Sequence, residues 1–141
     1  MTTCTIVTIC SIPYILSMRT VFLKKKSTKY ISTLGTIFEL IAAPCLSLIA
    51  YFPPNIYPDQ HLLATRLFFG FTGLTIIVYS IAILLNDLYH KIYGYFGLAV
   101  GAYMIFHLLV LLDSAVSQKF TVYTVIIWLV IQGIRLWKAL D

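Results

Sequence analysis

Long apolar segments, separated by short polar joins, make up most of this chain of 141 residues. Four of them cover residues 30–52, 62–85, 92–112 and 120–137, and a fifth, less apolar one covers residues 4–23. A helix needs about 20 apolar residues to cross a bilayer core. Only 11% of the residues are charged, whereas soluble domains carry about 25%. The sequence therefore predicts an all-α fold, a polytopic transmembrane helical bundle that forms a single domain over residues 1–141.

The segment at residues 4–23 differs from a secretory signal in the position of its charge. It contains Pro13 and ends close to Arg19 and to the lysine-rich run at residues 24–29. A signal peptide places its basic residues before the apolar run, and here they follow it. We therefore expect a membrane span whose amino end lies outside.

Basic residues are unevenly distributed between the two ends of the predicted helices. If the join at residues 24–29 is cytoplasmic, eight lysines and arginines lie on that side, and two, Arg66 and Lys119, lie on the other. Short loops rich in lysine and arginine stay in the cytoplasm. The sequence thus predicts a cytoplasmic C-terminus and an N-terminus outside. This arrangement explains the formal net charge of +5 without nucleic acid, and the expected partners are membrane lipids.

Small residues form a stripe along the segment at residues 92–112. Gly94, Gly97 and Gly101 lie on it, and the last two form a GxxxG motif, while Gly70 and Gly73 lie on the preceding segment. Helices in lipid associate through close packing of such residues. Two interpretations remain open, namely packing between helices of one chain and a homodimer face formed by Gly97 and Gly101.

Glu39 is the most informative charged residue of the sequence. It lies nine residues into the segment at 30–52, about 13 Å along a helix that rises 1.5 Å per residue. An ionisable group near the bilayer centre costs about 2.5–3.5 kcal/mol, so it should face the bundle interior. One hypothesis is a carboxylate that binds a proton or a cation, and the other is a structural glutamate satisfied by hydrogen bonds.

A second set of candidate ligand-binding residues lies toward the other end of two segments. His61 and Arg66 begin one segment, and His107 and Asp113 end the next. In antiparallel neighbours, Arg66 and Asp113 would come to a similar depth and form an ion pair. Two histidines on facing helices are also what a haem requires. However, His61 lies at a helix mouth and His107 lies deeper, so we expect no cofactor.

Sequence motifs of catalysis and metal binding are absent. The chain has no HExxH, no GxSxG and no phosphate loop, and these are the signatures of common enzyme classes. Cys4, Cys10 and Cys45 form neither a CxxC pair nor a disulfide framework. The sequence predicts a non-catalytic membrane protein, either lipid-interacting or an accessory subunit of a membrane complex. The alternative is a small proton-coupled transporter or channel that uses Glu39.

Several short motifs between Ile49 and Trp137 carry a resemblance to a known family. They are Tyr51-Phe52-Pro53-Pro54, His61 seven residues later, Arg66-Leu67-Phe68-Phe69-Gly70, and the closing helix Ile126–Trp137. With these motifs the chain resembles a prokaryotic domain-of-unknown-function family of six-helix membrane proteins, which is distantly similar to the eukaryotic Frag/DRAM/Sfk-like proteins. The family has a glycine two residues before the phenylalanine of its loop, and Ala50 stands there in this chain.

The resemblance implies that the five segments correspond to helices two to six of the family, as in a truncated or variant member. It also implies that Pro53, His61 and Phe68 belong to a structured outer loop and the helix mouth beside it. The family implies no defined activity, so the resemblance concerns the fold.

Overall fold

The computed structural model of this protein describes residues 2–23, 25–87, 90–111 and 114–140. Its helices are α1 (Thr2–Phe22), α2 (Lys26–Tyr51), α3 (Pro58–Leu84), α4 (Lys91–Phe106) and α5 (Ala115–Leu140). A π-helical turn, His107–Leu111, continues α4. No strand occurs within the described ranges, and the predicted all-α helical bundle is confirmed.

All five helices are long and apolar enough to cross a bilayer, including the one at the N-terminus. They extend beyond the predicted segments, since α2 begins at Lys26 instead of residue 30 and α5 at Ala115 instead of residue 120. Hydropathy marks the stretch that lies in hydrocarbon, whereas polar turns at headgroup depth continue the same helix. The chain is therefore an integral membrane protein whose helices are longer than its apolar segments.

The third helix, α3, is the centre of the bundle. Half of the residues in its apolar, membrane-spanning stretch are buried inside the bundle, whereas at most a third are buried in the corresponding stretch of each other helix. α3 packs against α2 and α4, while α1 packs against α2 and α5. Five large side chains between these helices are at most 1% exposed: Phe22, Ile76, Tyr79, Met104 and Trp128. They form the core around which the other elements are placed.

The glycine stripe of α4 lies against α3 of the same chain. A Cβ atom on Gly97 would come 2.0 Å from Ser80 Oγ, and one on Gly101 would come 2.5 Å from Ile77 Cγ1. Gly94 is packed just as closely near the end of α3. The absence of side chains on this stripe lets the two helices approach closely, as small residues do in membranes.

The two glycines of α3 face the end of α4 and its π-helical turn more loosely. A Cβ atom on Gly73 would lie 3.3 Å from Met104 Cβ, and one on Gly70 would lie 3.4 Å from Leu108 Cδ2. Gly73 thus belongs to the same helix contact as the α4 stripe, and Gly70 lies at its margin.

Lysine side chains join the connections at one end of the bundle. Lys25 Nζ donates to the Leu85 carbonyl at 2.9 Å and pairs with Asp87 Oδ2 at 3.2 Å. Lys91 Nζ donates to the Leu84 carbonyl at 2.6 Å. Cations at a helix C-terminus interact favourably with its dipole. This end, formed by the α1–α2 and α3–α4 connections, is named the lysine-rich end.

At the opposite end, a proline loop over residues 53–57 connects α2 to α3. The Pro53 carbonyl accepts from the backbone N–H groups of Ile56 at 3.1 Å and Tyr57 at 2.9 Å. Pro58 then opens α3, where its missing N–H costs nothing and its fixed φ suits a helix. This end is named the proline-loop end.

Candidate functional site

Glu39 lies in the middle of α2, thirteen residues after Lys26 and twelve before Tyr51. Its side chain is half-buried and accepts a hydrogen bond from the Thr75 hydroxyl of α3. The same hydroxyl lies 3.3 Å from the Gly35 carbonyl oxygen. The carboxylate thus lies on the interior side of α2 and has one neutral donor beside it.

A cavity of about 430 Å³ adjoins Glu39 and is lined by α1, α2, α3 and α5. Its walls are mostly aliphatic and aromatic, with Ile6, Ile15, Ile76 and Trp128 among them. Glu39 is the one charged residue of this lining. The volume falls within the range of about 300–1,000 Å³ found for small-molecule sites. We name this space the Glu39 cavity.

Two buried polar atoms on residues of the Glu39 cavity lack a hydrogen-bond partner within the described ranges, Thr72 Oγ1 and Trp128 Nε1. Thr72 is 5% exposed and Trp128 is 1% exposed. Leaving such a group unpaired costs about 1–3 kcal/mol. Trp128 Nε1 lies against α4, since a Cβ atom on Gly97 would come 2.6 Å from it. Thr72 Oγ1 is also fully buried, so neither atom is open to the cavity, and Glu39 remains its main polar group.

On the side of Glu39 toward the lysine-rich end, buried side chains close the bundle. The hydroxyls of Thr36 and Tyr79 lie 2.8 Å apart, and the Tyr79 ring packs edge-on against Phe22 with centroids 5.8 Å apart. Arg19 Nε donates to Thr33 Oγ1 at 3.3 Å. The Glu39 cavity is thus closed toward this end by packed rings and hydrogen-bonded hydroxyls.

Sequence reasoning treated Arg19 only as an interfacial charge. In the structure, both Arg19 and Glu39 lie within electrostatic range of the Tyr79 hydroxyl. No sequence pattern indicates this, because it depends on which faces of α1, α2 and α3 meet. α1 does pack along α2, since the Thr8 hydroxyl donates to the Ala43 carbonyl at 3.1 Å.

A second cavity, of about 400 Å³, lies between α2, α3 and α5 toward the proline-loop end. His61 lines it, together with Thr65 and Lys119, and we name it the His61 cavity. Leu46 and Phe68 line both cavities. The two cavities therefore adjoin, with these two side chains between them.

His61 has a structural contact at the mouth of α3. Its Nδ1 lies 2.8 Å from the Phe52 carbonyl oxygen, which ties the start of α3 to the end of α2. The second histidine, His107, does not line either cavity. The structure thus does not bring His61 and His107 together in one of these cavities.

His107 is fully buried where α4 changes to a π-helix. Its Nδ1 lies 2.8 Å from Ser117 Oγ, which is 3.1 Å from the Tyr103 hydroxyl. Its ring packs edge-on against Phe69, with centroids 5.3 Å apart. Although π-helical turns are frequent at functional sites, these contacts join α4 to α5 and α3 within the core.

Arg66 is exposed on α3, and none of the ion pairs that the structure describes includes it. Asp113, its predicted partner, lies outside the described residues, so the predicted pair stays a prediction. Within the described ranges, no group of three or more histidine, cysteine or acidic residues could hold a metal ion.

Comparisons of the chain with protein-family models, with curated proteins and with solved structures find no match. None of them bears on the resemblance to the Frag/DRAM/Sfk-like proteins, which stays a prediction.

Proposed function

We propose that this integral membrane protein is non-catalytic and binds a lipid-like molecule, apolar with one polar end, in the Glu39 cavity. The observation that carries the proposal is a cavity of about 430 Å³ between four helices, lined by apolar side chains around one carboxylate. Ligand sites typically combine such apolar walls with a few polar groups that fix orientation. The adjoining His61 cavity adds about 400 Å³ toward the proline-loop end, which gives an elongated ligand room to extend.

Ligand binding can be followed through the fluorescence of Trp128. The chain has two tryptophans, and Trp137 is 73% exposed, so Trp137→Phe leaves Trp128 as the reporter. We expect 11-bromo-1-undecanol to quench this variant saturably in phosphatidylcholine vesicles, because Trp128 lines the cavity that the probe would occupy.

Two matched variants on α1 localise the quenching. Ser11 lines the Glu39 cavity, so Ser11→Phe should fill it and abolish the saturable component. Ser17 is exposed on the same helix and lines neither cavity, so Ser17→Phe should leave quenching unchanged. Quenching that rises linearly with probe, and equally in both variants, would contradict binding in the cavity.

A small proton-coupled transporter or channel is the second candidate function. It is favoured by the position of Glu39, which lies in the middle of a spanning helix and beside a cavity. The two cavities extend from the proline-loop end to Glu39, and packed side chains follow beyond it. Proton release from vesicles on addition of a lipophilic cation, absent in Glu39→Gln, would favour transport over binding alone.

The proposal includes an orientation, with the lysine-rich end in the cytoplasm. Lys25 and Lys91 bind the carbonyls at the end of α3, and Arg135 donates to the Tyr93 hydroxyl near the start of α4. Basic residues from the α1–α2 connection, α4 and α5 therefore lie at the same end of the bundle. The positive-inside rule places this end in the cytoplasm. The C-terminus would then be cytoplasmic and the N-terminus outside.

Single cysteines test this orientation in a background with the native cysteines replaced by serine. Lys26 and Gln60 are exposed at opposite ends of the bundle. In intact cells, a membrane-impermeant maleimide should label Gln60→Cys and spare Lys26→Cys, which is labelled only after permeabilisation. The reverse labelling pattern would invert the proposed topology.

A further inference from the structure

Two polar side chains that line the Glu39 cavity, Ser11 and Tyr14, have already used their donors. Ser11 Oγ donates to the Thr8 carbonyl at 2.8 Å, and the Tyr14 hydroxyl donates to the Leu129 carbonyl at 3.2 Å. An ionised carboxylate accepts about four hydrogen bonds, and one donor, Thr75, is described beside it. Thr72 Oγ1 has no partner among the described residues but is fully buried, so the polar capacity left to a ligand is mainly that of the Glu39 carboxylate, an acceptor.

The charge balance of the Glu39 cavity points the same way. Among the described residues that line it there is no lysine or arginine. The ion pair that the structure describes joins Lys25 to Asp87 and does not involve Glu39. A lone carboxylate is too small a ligand set for a structural metal, which needs several donors. An anionic ligand would meet the carboxylate without a compensating cation.

Aromatic side chains complete the surroundings of the carboxylate. Trp128, Tyr14 and Phe68 line the same cavity, and the Nε1 edge of Trp128 is turned toward Gly97 of α4. The indole is 1% exposed, so its ring forms part of the cavity wall. Organic cations are attracted to aromatic ring faces, most strongly to tryptophan.

We propose that the Glu39 cavity selects amphiphiles with a protonated amine, the ammonium group bound by Glu39 and the apolar body held by the walls from Ile6 to Trp128. This inference rests on the proposed function, because it names the chemical class of the bound molecule. An ammonium group has three donors, and the Glu39 carboxylate offers acceptor positions for them beyond the one beside Thr75. Charge-assisted hydrogen bonds of this kind are about twice as strong as neutral ones.

Two groups on other helices face this part of the bundle and compete with an amine. Arg19 of α1 and Glu39 both lie within electrostatic range of the Tyr79 hydroxyl of α3, but Arg19 is directed to Thr33 and Tyr79 to Thr36. Neither residue lines the cavity, so the side of Glu39 that faces it is left to a ligand.

The test compares 11-bromoundecylamine with 11-bromo-1-undecanol, two probes with the same chain and the same bromine. Each is titrated into phosphatidylcholine vesicles holding the Trp137→Phe variant, and dissociation constants are corrected for partitioning into protein-free vesicles. We expect the amine to bind about tenfold or more tightly than the alcohol, because its hydrogen bond to the carboxylate is charge-assisted and therefore stronger.

Glu39→Gln, made in the same background, should reduce this preference to about twofold or less, while saturable quenching by the alcohol persists, which shows that the cavity is intact. Asp59→Asn is the matched control, because it removes an exposed carboxylate from the first turn of α3 and should keep the full preference. The wild-type ratio is measured without any change at Glu39, so the test stands even where Glu39→Gln does not fold.

The outcomes separate the inference from the function on which it rests. Equal affinities of the two probes in the protein with native Glu39 would overturn the amine inference and leave lipid-like binding in place. A preference that survives Glu39→Gln would also overturn it, since another group would then hold the ammonium. If neither probe quenches saturably, the proposed function itself fails.

Discussion

Replacing Gly97 with valine should strongly destabilise the bundle. Even the first added atom, a Cβ, would lie 2.0 Å from Ser80 Oγ and 2.6 Å from Trp128 Nε1. Both neighbours are buried and belong to different helices, so neither can move without disturbing α3 or α5. Overpacking of a tight core costs about 1–3 kcal/mol and occasionally more, and we expect the upper part of this range. The measurement is the thermal unfolding midpoint in detergent.

Gly133→Val is the matched control for this substitution. Gly133 lies in α5, and its nearest neighbour, Tyr14 Cε2, would be 3.9 Å from an added Cβ, which is ordinary contact. We expect a small loss there. If Gly97→Val instead left the midpoint unchanged and altered only the oligomer size in cross-linking, Gly97 and Gly101 would act as the homodimer face that the GxxxG motif also allows.

Hydropathy is sufficient to predict the five helices because a bilayer imposes the length and composition of each span. Their ends are less predictable, since Lys26 and Ala115 begin helices in polar sequence where hydropathy is low. The π-helical turn at His107 is also invisible to composition, because α- and π-helical turns tolerate the same apolar residues. What a pattern cannot show is how the end of α4 meets α5.

The candidate site was predictable in its central residue and not in its surroundings. Glu39 stands out in the sequence because a charge at that depth is costly, but hydropathy does not say which helices face it. Thr72, Thr75 and Trp128 look like ordinary residues of apolar segments, and only the packing of α3 and α5 places them beside the same cavity. Their part in the site depends on tertiary contacts between distant segments.

The two predicted histidines, by contrast, do not line the same cavity in the folded chain. His61 lines a cavity, but its Nδ1 contacts the Phe52 carbonyl. His107 contacts Ser117 in the core and lines neither cavity. Antiparallel helices fix depth along the bundle, whereas the facing of a side chain depends on rotation about the helix axis, which two isolated residues cannot reveal.

Tyr79→Ala should reduce the stability of the bundle by as much as Gly97→Val, or by more. Tyr79 is 0% exposed, its ring contacts Phe22, and its Cδ2 would lie 2.8 Å from a Cβ added to Gly35. Removing a large buried ring leaves a cavity among three helices that cannot collapse without moving α2. Aromatic-to-alanine changes in cores cost about 3–5 kcal/mol, and we expect a value in this range, measured by unfolding in mixed detergent and sodium dodecyl sulfate micelles.

Tyr79→Phe separates the ring from its hydroxyl. It removes the 2.8 Å contact with Thr36, yet Thr36 still donates to the Ser32 carbonyl at 2.9 Å, so no donor is stranded. Polar contacts between helices in membranes contribute about 0.6 kcal/mol on average, and the expected loss is of that order. Tyr95→Ala is the control for Tyr79→Ala. Because the Tyr95 side chain is 63% exposed, its removal should reduce stability by less than Tyr79→Ala does. Equal losses for Tyr79→Ala and Tyr79→Phe would mean that the ring does not hold α1, α2 and α3 together, and the closed side of the Glu39 cavity would need another explanation.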